Sequence, residues 1–149
     1  MLTKISKLLS TLGGLGYLWA PGTWASLITL FIGYQFLAAL PVEQRLIIFF
    51  VALVILFFAT EQFRRKYNFV DPPFIVADEI AGCLLMVTLL PANWLLYSLA
   101  FVLFRFFDIT KILGVDKIQS LPKTVGIMAD DLLAACYTLL ILFIVAQLL

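Results

Sequence analysis

Two acidic pairs, Asp78-Glu79 and Asp130-Asp131, and a further acid, Asp108, stand beside long apolar runs in a chain otherwise poor in charge. Ionisable groups at membrane depth are costly and are kept where they pair, coordinate a cation or do chemistry. Clustered carboxylates in a chain with no histidine select a hard cation such as Mg²⁺ or Mn²⁺ rather than zinc. Neighbouring helical residues project about 100° apart, so neither pair chelates one ion alone, and the ligands must come from more than one helix. We therefore read Asp78, Glu79, Asp130 and Asp131 as the metal set, with one residue of each pair on the ion and its neighbour holding a second ion or a water. Arg105 and Lys111 flank Asp108 and offer cations to a phosphate, the usual companion of a magnesium site. Free amides at helix starts near Thr23 and Ile127 add anion affinity.

The same residues have plainer explanations. Each pair alone could be first-turn acids favoured by the helix dipole, and Arg105 with Asp108 could be a structural ion pair at i, i+3. Two pairs beside a third acid make those accounts weak. Membrane carboxylates also line ion paths, so a cation-binding transport or channel subunit is the alternative function. That alternative predicts acids spread through the membrane depth, whereas these gather at helix ends.

The composition names the surroundings that must hold these groups. Of 149 residues, 64% are hydrophobic and 13% charged, with mean hydropathy +1.10: an integral membrane protein, read as one membrane-embedded domain over residues 1–149. A formal net charge of +1 offers no argument for nucleic acid. Cys83 and Cys136 lie in apolar runs and read as small buried thiols rather than a disulfide.

The pattern predicts an all-α polytopic bundle of about five apolar helices. An amphipathic interfacial segment, Met1 to Ser10, carries Lys4 and Lys7, with too weak an apolar run for a cleavable signal. Gly13, Gly14, Gly16 and the Pro21-Gly22 break follow, with Thr23 placed to cap the first span, Trp24 to Leu40. Pro41 separates this from a second span, Leu46 to Thr60. Three cations, Arg64, Arg65 and Lys66, then leave the membrane as a topology signal. Pro72 and Pro73 hold off helix until Ile75 to Asp78. The third and fourth helices, ending at Leu90 and spanning Trp94 to Phe107, are short for full spans. A polar connection, Ile109 to Gly126, leads to the last helix from Ile127. With a cytoplasmic N-terminus and five alternating spans, every cation except Arg45 falls on the cytoplasmic side, which satisfies the positive-inside rule. Asp71, Asp78, Glu79, Asp108, Asp130 and Asp131 fall on that same face.

Four ordered blocks carry a family resemblance: Leu15-Gly16-Tyr17 through Ala20-Pro21-Gly22-Thr23-Trp24-Ala25-Ser26; Asp71-Pro72 through Asp78-Glu79 and Gly82; Phe104-Arg105-Phe106-Phe107-Asp108-Ile109 with Lys111; and Gly126-Ile127-Met128 with Asp130-Asp131. Over about residues 13 to 137 the chain resembles phosphatidylglycerophosphatase A. Ile112 and Gly114 stand where that family commonly has prolines. The resemblance implies a magnesium-dependent lipid phosphatase of the bacterial inner membrane that hydrolyses phosphatidylglycerophosphate to phosphatidylglycerol, working at the cytoplasmic face. On that expectation Asp108 and Asp131 are the catalytic acids, with Asp108 positioning or deprotonating the attacking water. Arg105, Lys111, Thr23 and Asp71 form the candidate phosphate and substrate contacts.

Overall fold

A computed structural model describes residues 2–67, 72–119, 121 and 123–147. Among these residues the chain is all helix: α1 (Leu2–Ser10), a 3₁₀ segment (Leu12–Tyr17), α2 (Pro21–Phe36), α3 (Val42–Tyr67), α4 (Ala77–Leu89), α5 (Trp94–Thr110), α6 (Val115–Gln119) and α7 (Thr124–Ala146). Two of these, α3 and α7, are long and apolar enough to cross a membrane, with mean hydropathy 2.4 and 2.0. Phe50, Val51, Val54, Ile55 and Phe58 point outward from α3. A helix apolar on its outer face as well as its inner one has the pattern of a membrane span.

Helix boundaries depart from the hydropathy reading wherever polar residues propagate helix. α3 starts at Val42 and continues through Glu61–Arg64–Arg65–Lys66 to Tyr67, where an exit from the membrane was expected. Glu61 pairs with Arg64 at 3.0 Å and with Arg65, one turn apart, and the terminal cations suit the helix C-terminal dipole. α7 likewise begins at Thr124 rather than Ile127, and the expected polar connection contains the single turn α6. At the head of α2, Pro21 takes the first helical position and left-handed Ala20 (φ 51°) precedes it. Thr23 therefore sits inside the first turn and is not the cap. Cys83 is buried as expected, but Cys136 is exposed on the outer face of α7, and both thiols are free.

α4 lies at the centre of the bundle. One apolar core joins α2, α4, α5 and α7 around Met86, Val87, Phe104 and Leu142; a second joins α3, α4 and α7 with the 3₁₀ segment around Leu56, Phe63, Ile80 and Met128. α1 lies along α3 through Ser6 Oγ donating to Gln62 Oε1 at 2.9 Å. Val76 N donates to Ser10 O at 2.9 Å, which ties the start of α4 to the end of α1. At the opposite end, Arg45 Nη1 donates to the carbonyls of Val87 and Leu90, each at 2.9 Å. With the start of α2 at Gly22 against Glu79 and Arg105 and the start of α7 at Thr124 bonded to Glu61, the starts of α2, α4 and α7 and the ends of α3 and α5 lie together at one end of the bundle.

Candidate active site

Asp78 and Glu79 lie in the first turn of α4, whose cap residue Val76 makes no side-chain capping bond. Asp130 and Asp131 lie in the second turn of α7, whose first turn holds no acid. The dipole explanation therefore fails for the second pair. Two glycines bring the helices close enough for the pairs to meet. A Cβ on Gly82 of α4 would lie 2.8 Å from the Phe104 ring and 3.0 Å from the Asp131 carbonyl, so only glycine lets α4 approach α5 and α7 this closely. A Cβ on Gly22 of α2 would lie 2.0 Å from Glu79 Oε1 and 2.9 Å from Arg105 Nη1: the bare backbone at the start of α2 is the seat of both charged groups.

The result is a compact acidic cluster. One carboxylate oxygen from each of Asp78, Glu79 and Asp131 lies within 4.8 Å of the others. Asp78 Oδ1, Glu79 Oε2 and Asp131 Oδ2 are buried with no hydrogen-bond partner. A buried carboxylate left so costs several kcal/mol unless it is neutralised. Five acids at this end (Asp78, Glu79, Asp108, Asp130, Asp131) face two cations (Arg105, Lys111), and one divalent ion would reduce the excess of three negative charges to one. An all-oxygen donor set with orphaned buried oxygens fits a hard divalent cation.

Not every candidate joins the cluster. Asp130 Oδ2 accepts from Lys111 Nζ and Oδ1 accepts the Asp131 N–H at 3.0 Å, so Asp130 faces the lysine. Of the α7 pair only Asp131 brings an oxygen to the cluster, whereas both α4 acids do. Asp108 Oδ2 lies 2.5 Å from Arg105 Nη1, and Oδ1 lies 3.6 Å from Lys111 Nζ; Arg105 Nη1 also lies 3.7 Å from Glu79 Oε1. Arg105 thus bridges α5 to α4, and Lys111 bridges α5 to α7. Lys111 adopts a left-handed conformation (φ 51°) just past α5, a position that usually takes glycine. From there its ammonium reaches Asp130. Burial alone would lower the Lys111 pKa, but contact with Asp130 and the charges of Asp108 and Asp131 outweigh it and hold the pKa above the ordinary lysine value, so the group is a cation. Thr23 is half-buried beside Gly22. Asp71 lies outside the described residues. In the following loop, Gly114 has φ 89°, a conformation closed to the proline commonly found there.

Residues not singled out from the sequence also shape this end. Ser26 Oγ donates to Gly22 O at 2.7 Å, and Cys83 lies buried one turn below Glu79. The signal was present: Gly22, Ala25, Ser26, Thr29 and Gly33 form a buried small-residue stripe on α2, the pattern of close helix packing in membranes. Thr124 Oγ1 donates to Glu61 Oε2 and accepts from Arg64 Nε at 3.3 Å, pinning α3 to the start of α7.

Comparison with known proteins follows the same lines. The family profile of phosphatidylglycerophosphatase A matches residues 8–146. Phosphatidylglycerophosphatase A of Haemophilus influenzae is 34% identical over 126 residues, 83% of this chain and 77% of the relative. A Bacteroides thetaiotaomicron protein provisionally named phosphatidylinositol-3-phosphatase is 37% identical over 130 residues, 83% of this chain and 81% of the relative. No solved structure matches the chain.

Proposed function

The chain belongs to the phosphatidylglycerophosphatase A family and is a phosphoric monoester hydrolase, and from that premise we propose that it removes the terminal phosphate of phosphatidylglycerophosphate, giving phosphatidylglycerol and inorganic phosphate. The observation that carries this reading is the meeting of three carboxylates, each with a buried oxygen that has no hydrogen-bond partner, with Arg105 and Lys111 at one end of an apolar bundle.

Asp78, Glu79 and Asp131 would hold Mg²⁺, which when bound supplies a Lewis acid for the phosphoryl oxygens and acidifies a bound water. Arg105 and Lys111 hold phosphate oxygens and stabilise charge as it develops. The Gly22 backbone fixes Glu79 and Arg105 relative to one another. Asp108 orients Arg105, and its Oδ1, 3.6 Å from Lys111 Nζ, is beyond hydrogen-bond reach of that ammonium and keeps capacity to accept a proton. Water attacks phosphorus, its proton passes to Asp108, the P–O bond to glycerol breaks, and the alcohol leaves after reprotonation. Asp130 serves this set by anchoring Lys111.

Five alternating helices, a cytoplasmic N-terminus and a site facing the cytoplasm of the bacterial inner membrane complete the reading, supported by the grouping of cations and acids at one end. The transport alternative expects acids spread through the membrane depth, whereas Asp78, Glu79, Asp108, Asp130 and Asp131 gather at one end of the bundle. The test is phosphate release by purified protein in mixed micelles of phosphatidylglycerophosphate or of phosphatidylinositol 3-phosphate. The former is expected to be the better substrate. Release from neither, or only from the inositol lipid, refutes the assignment.

A further inference from the structure

We propose that the groove between α2 and α5 holds an acyl chain of the lipid whose phosphate is hydrolysed at the acidic cluster; this rests on the lipid phosphatase reading above. The groove encloses about 250 Å³ and is walled by Leu27 and Phe31 of α2 and by Trp94, Ser98, Phe101 and Val102 of α5. Its walls are continuous with the site. On α5, Trp94, Ser98, Phe101 and Val102 recur at intervals of three and four residues, the spacing of one helix face, and the next position on that stripe is Arg105. On α2, Phe31 and Leu27 lead by the same spacing to Thr23. Each wall therefore ends on a candidate phosphate contact, and the two ends meet where Gly22 abuts Arg105.

The far end is closed. The Trp94 ring lies 6.0 Å from Phe31 and 4.0 Å from Tyr34, centroid to centroid. Trp94 and Arg105 are eleven residues apart, about 16 Å along the helix. A chain whose phosphate rests at Arg105 would thus run along the groove for about 16 Å and stop at the aromatic wall. Charge matches too: the groove's open end carries a cation, as an acyl chain with an anionic head requires, while its sides are apolar.

Two other apolar grooves lack this connection. One lies between α3 and α7 around Phe57 and Met128, the other between α1, α3 and α4 around Ile55 and Ile80. Neither is lined by α2 or α5, the helices that bear Thr23 and Arg105.

The test compares a long-chain phosphatidylglycerophosphate with its water-soluble dihexanoyl analogue, using Ser98→Trp and Val102→Trp to fill the groove and Ile55→Trp to fill another. Ser98 and Val102 are exposed, so the added ring enters the groove rather than the core. Each groove variant is expected to lose about tenfold or more in kcat/KM on the long-chain lipid while changing by less than about twofold on the short one. Ile55→Trp should leave both unchanged. Equal loss on both substrates, no loss on either, or a chain-length effect confined to Ile55→Trp overturns the groove assignment. Failure of the unmodified protein to release phosphate from either substrate instead overturns the phosphatase reading on which it rests.

Discussion

Gly22→Ala separates the seat of the site from the stability of the fold. The new Cβ would lie 2.0 Å from Glu79 Oε1, against an ordinary contact of 3.4 Å or more, and 2.9 Å from Arg105 Nη1. The carboxylate must therefore retreat by about 1.4 Å, with the guanidinium moving beside it. Only the ends of two long side chains are displaced, so the fold has little to lose, and alanine is the better helix former by up to about 1 kcal/mol. Catalysis has much more to lose. Misplacing a reacting group by about 1 Å can cost about a hundredfold, or about 2.7 kcal/mol of transition-state stabilisation. The expected result is a fall of about that size in kcat/KM for phosphate release from phosphatidylglycerophosphate, with a thermal midpoint equal to or above that of the parent protein. Activity within about twofold of the parent would refute the argument. So would a loss of activity that merely tracks a loss of folded protein.

Three further expectations follow from the same geometry. Asp78→Asn and Asp131→Asn should each lower turnover by about 10³-fold or more, yet raise the thermal midpoint in EDTA, because each removes an uncompensated buried charge. Mg²⁺ at a hundred times its dissociation constant should stabilise the parent protein by about 2.7 kcal/mol, read as a shift in melting, and should leave Asp131→Asn unmoved. Arg45→Met removes the two 2.9 Å hydrogen bonds to Val87 O and Leu90 O at the far end of the bundle; it should cost about 2–3 kcal/mol in denaturant unfolding while phosphate release stays near the parental rate.

The acids themselves could be read from the chain because they are anomalies: Asp78-Glu79 and Asp131 interrupt apolar runs, and a topology counted from cations brings them to one end. Their division of labour could not. Asp130 turns to Lys111, which takes a left-handed conformation past α5, a backbone choice that a non-glycine residue does not advertise. The place of Gly22 was hidden for the opposite reason. In the chain it looks like punctuation after a proline, and its role depends on Glu79, 57 positions away, lying against it. Helix ends were misplaced where hydropathy and hydrogen bonding part company. Glu61 to Tyr67 leaves the apolar run but stays helical because Glu61, Arg64 and Arg65 pair along the helix, and Thr124 adds a turn to α7 by bonding Glu61. Apolar runs mark a helix's preferred solvent, whereas side-chain pairs and caps mark its ends.

The central claim is that Asp78, Glu79 and Asp131 form a divalent-cation site that drives lipid phosphate hydrolysis. Its most direct test is inorganic phosphate released from phosphatidylglycerophosphate by the purified protein after EDTA treatment, then after Mg²⁺ is restored, with Asp131→Asn alongside. The account predicts no release in EDTA, recovery with Mg²⁺, and no recovery in the folded Asp131→Asn protein. Undiminished release in EDTA, or magnesium-restored turnover in Asp131→Asn, would contradict it.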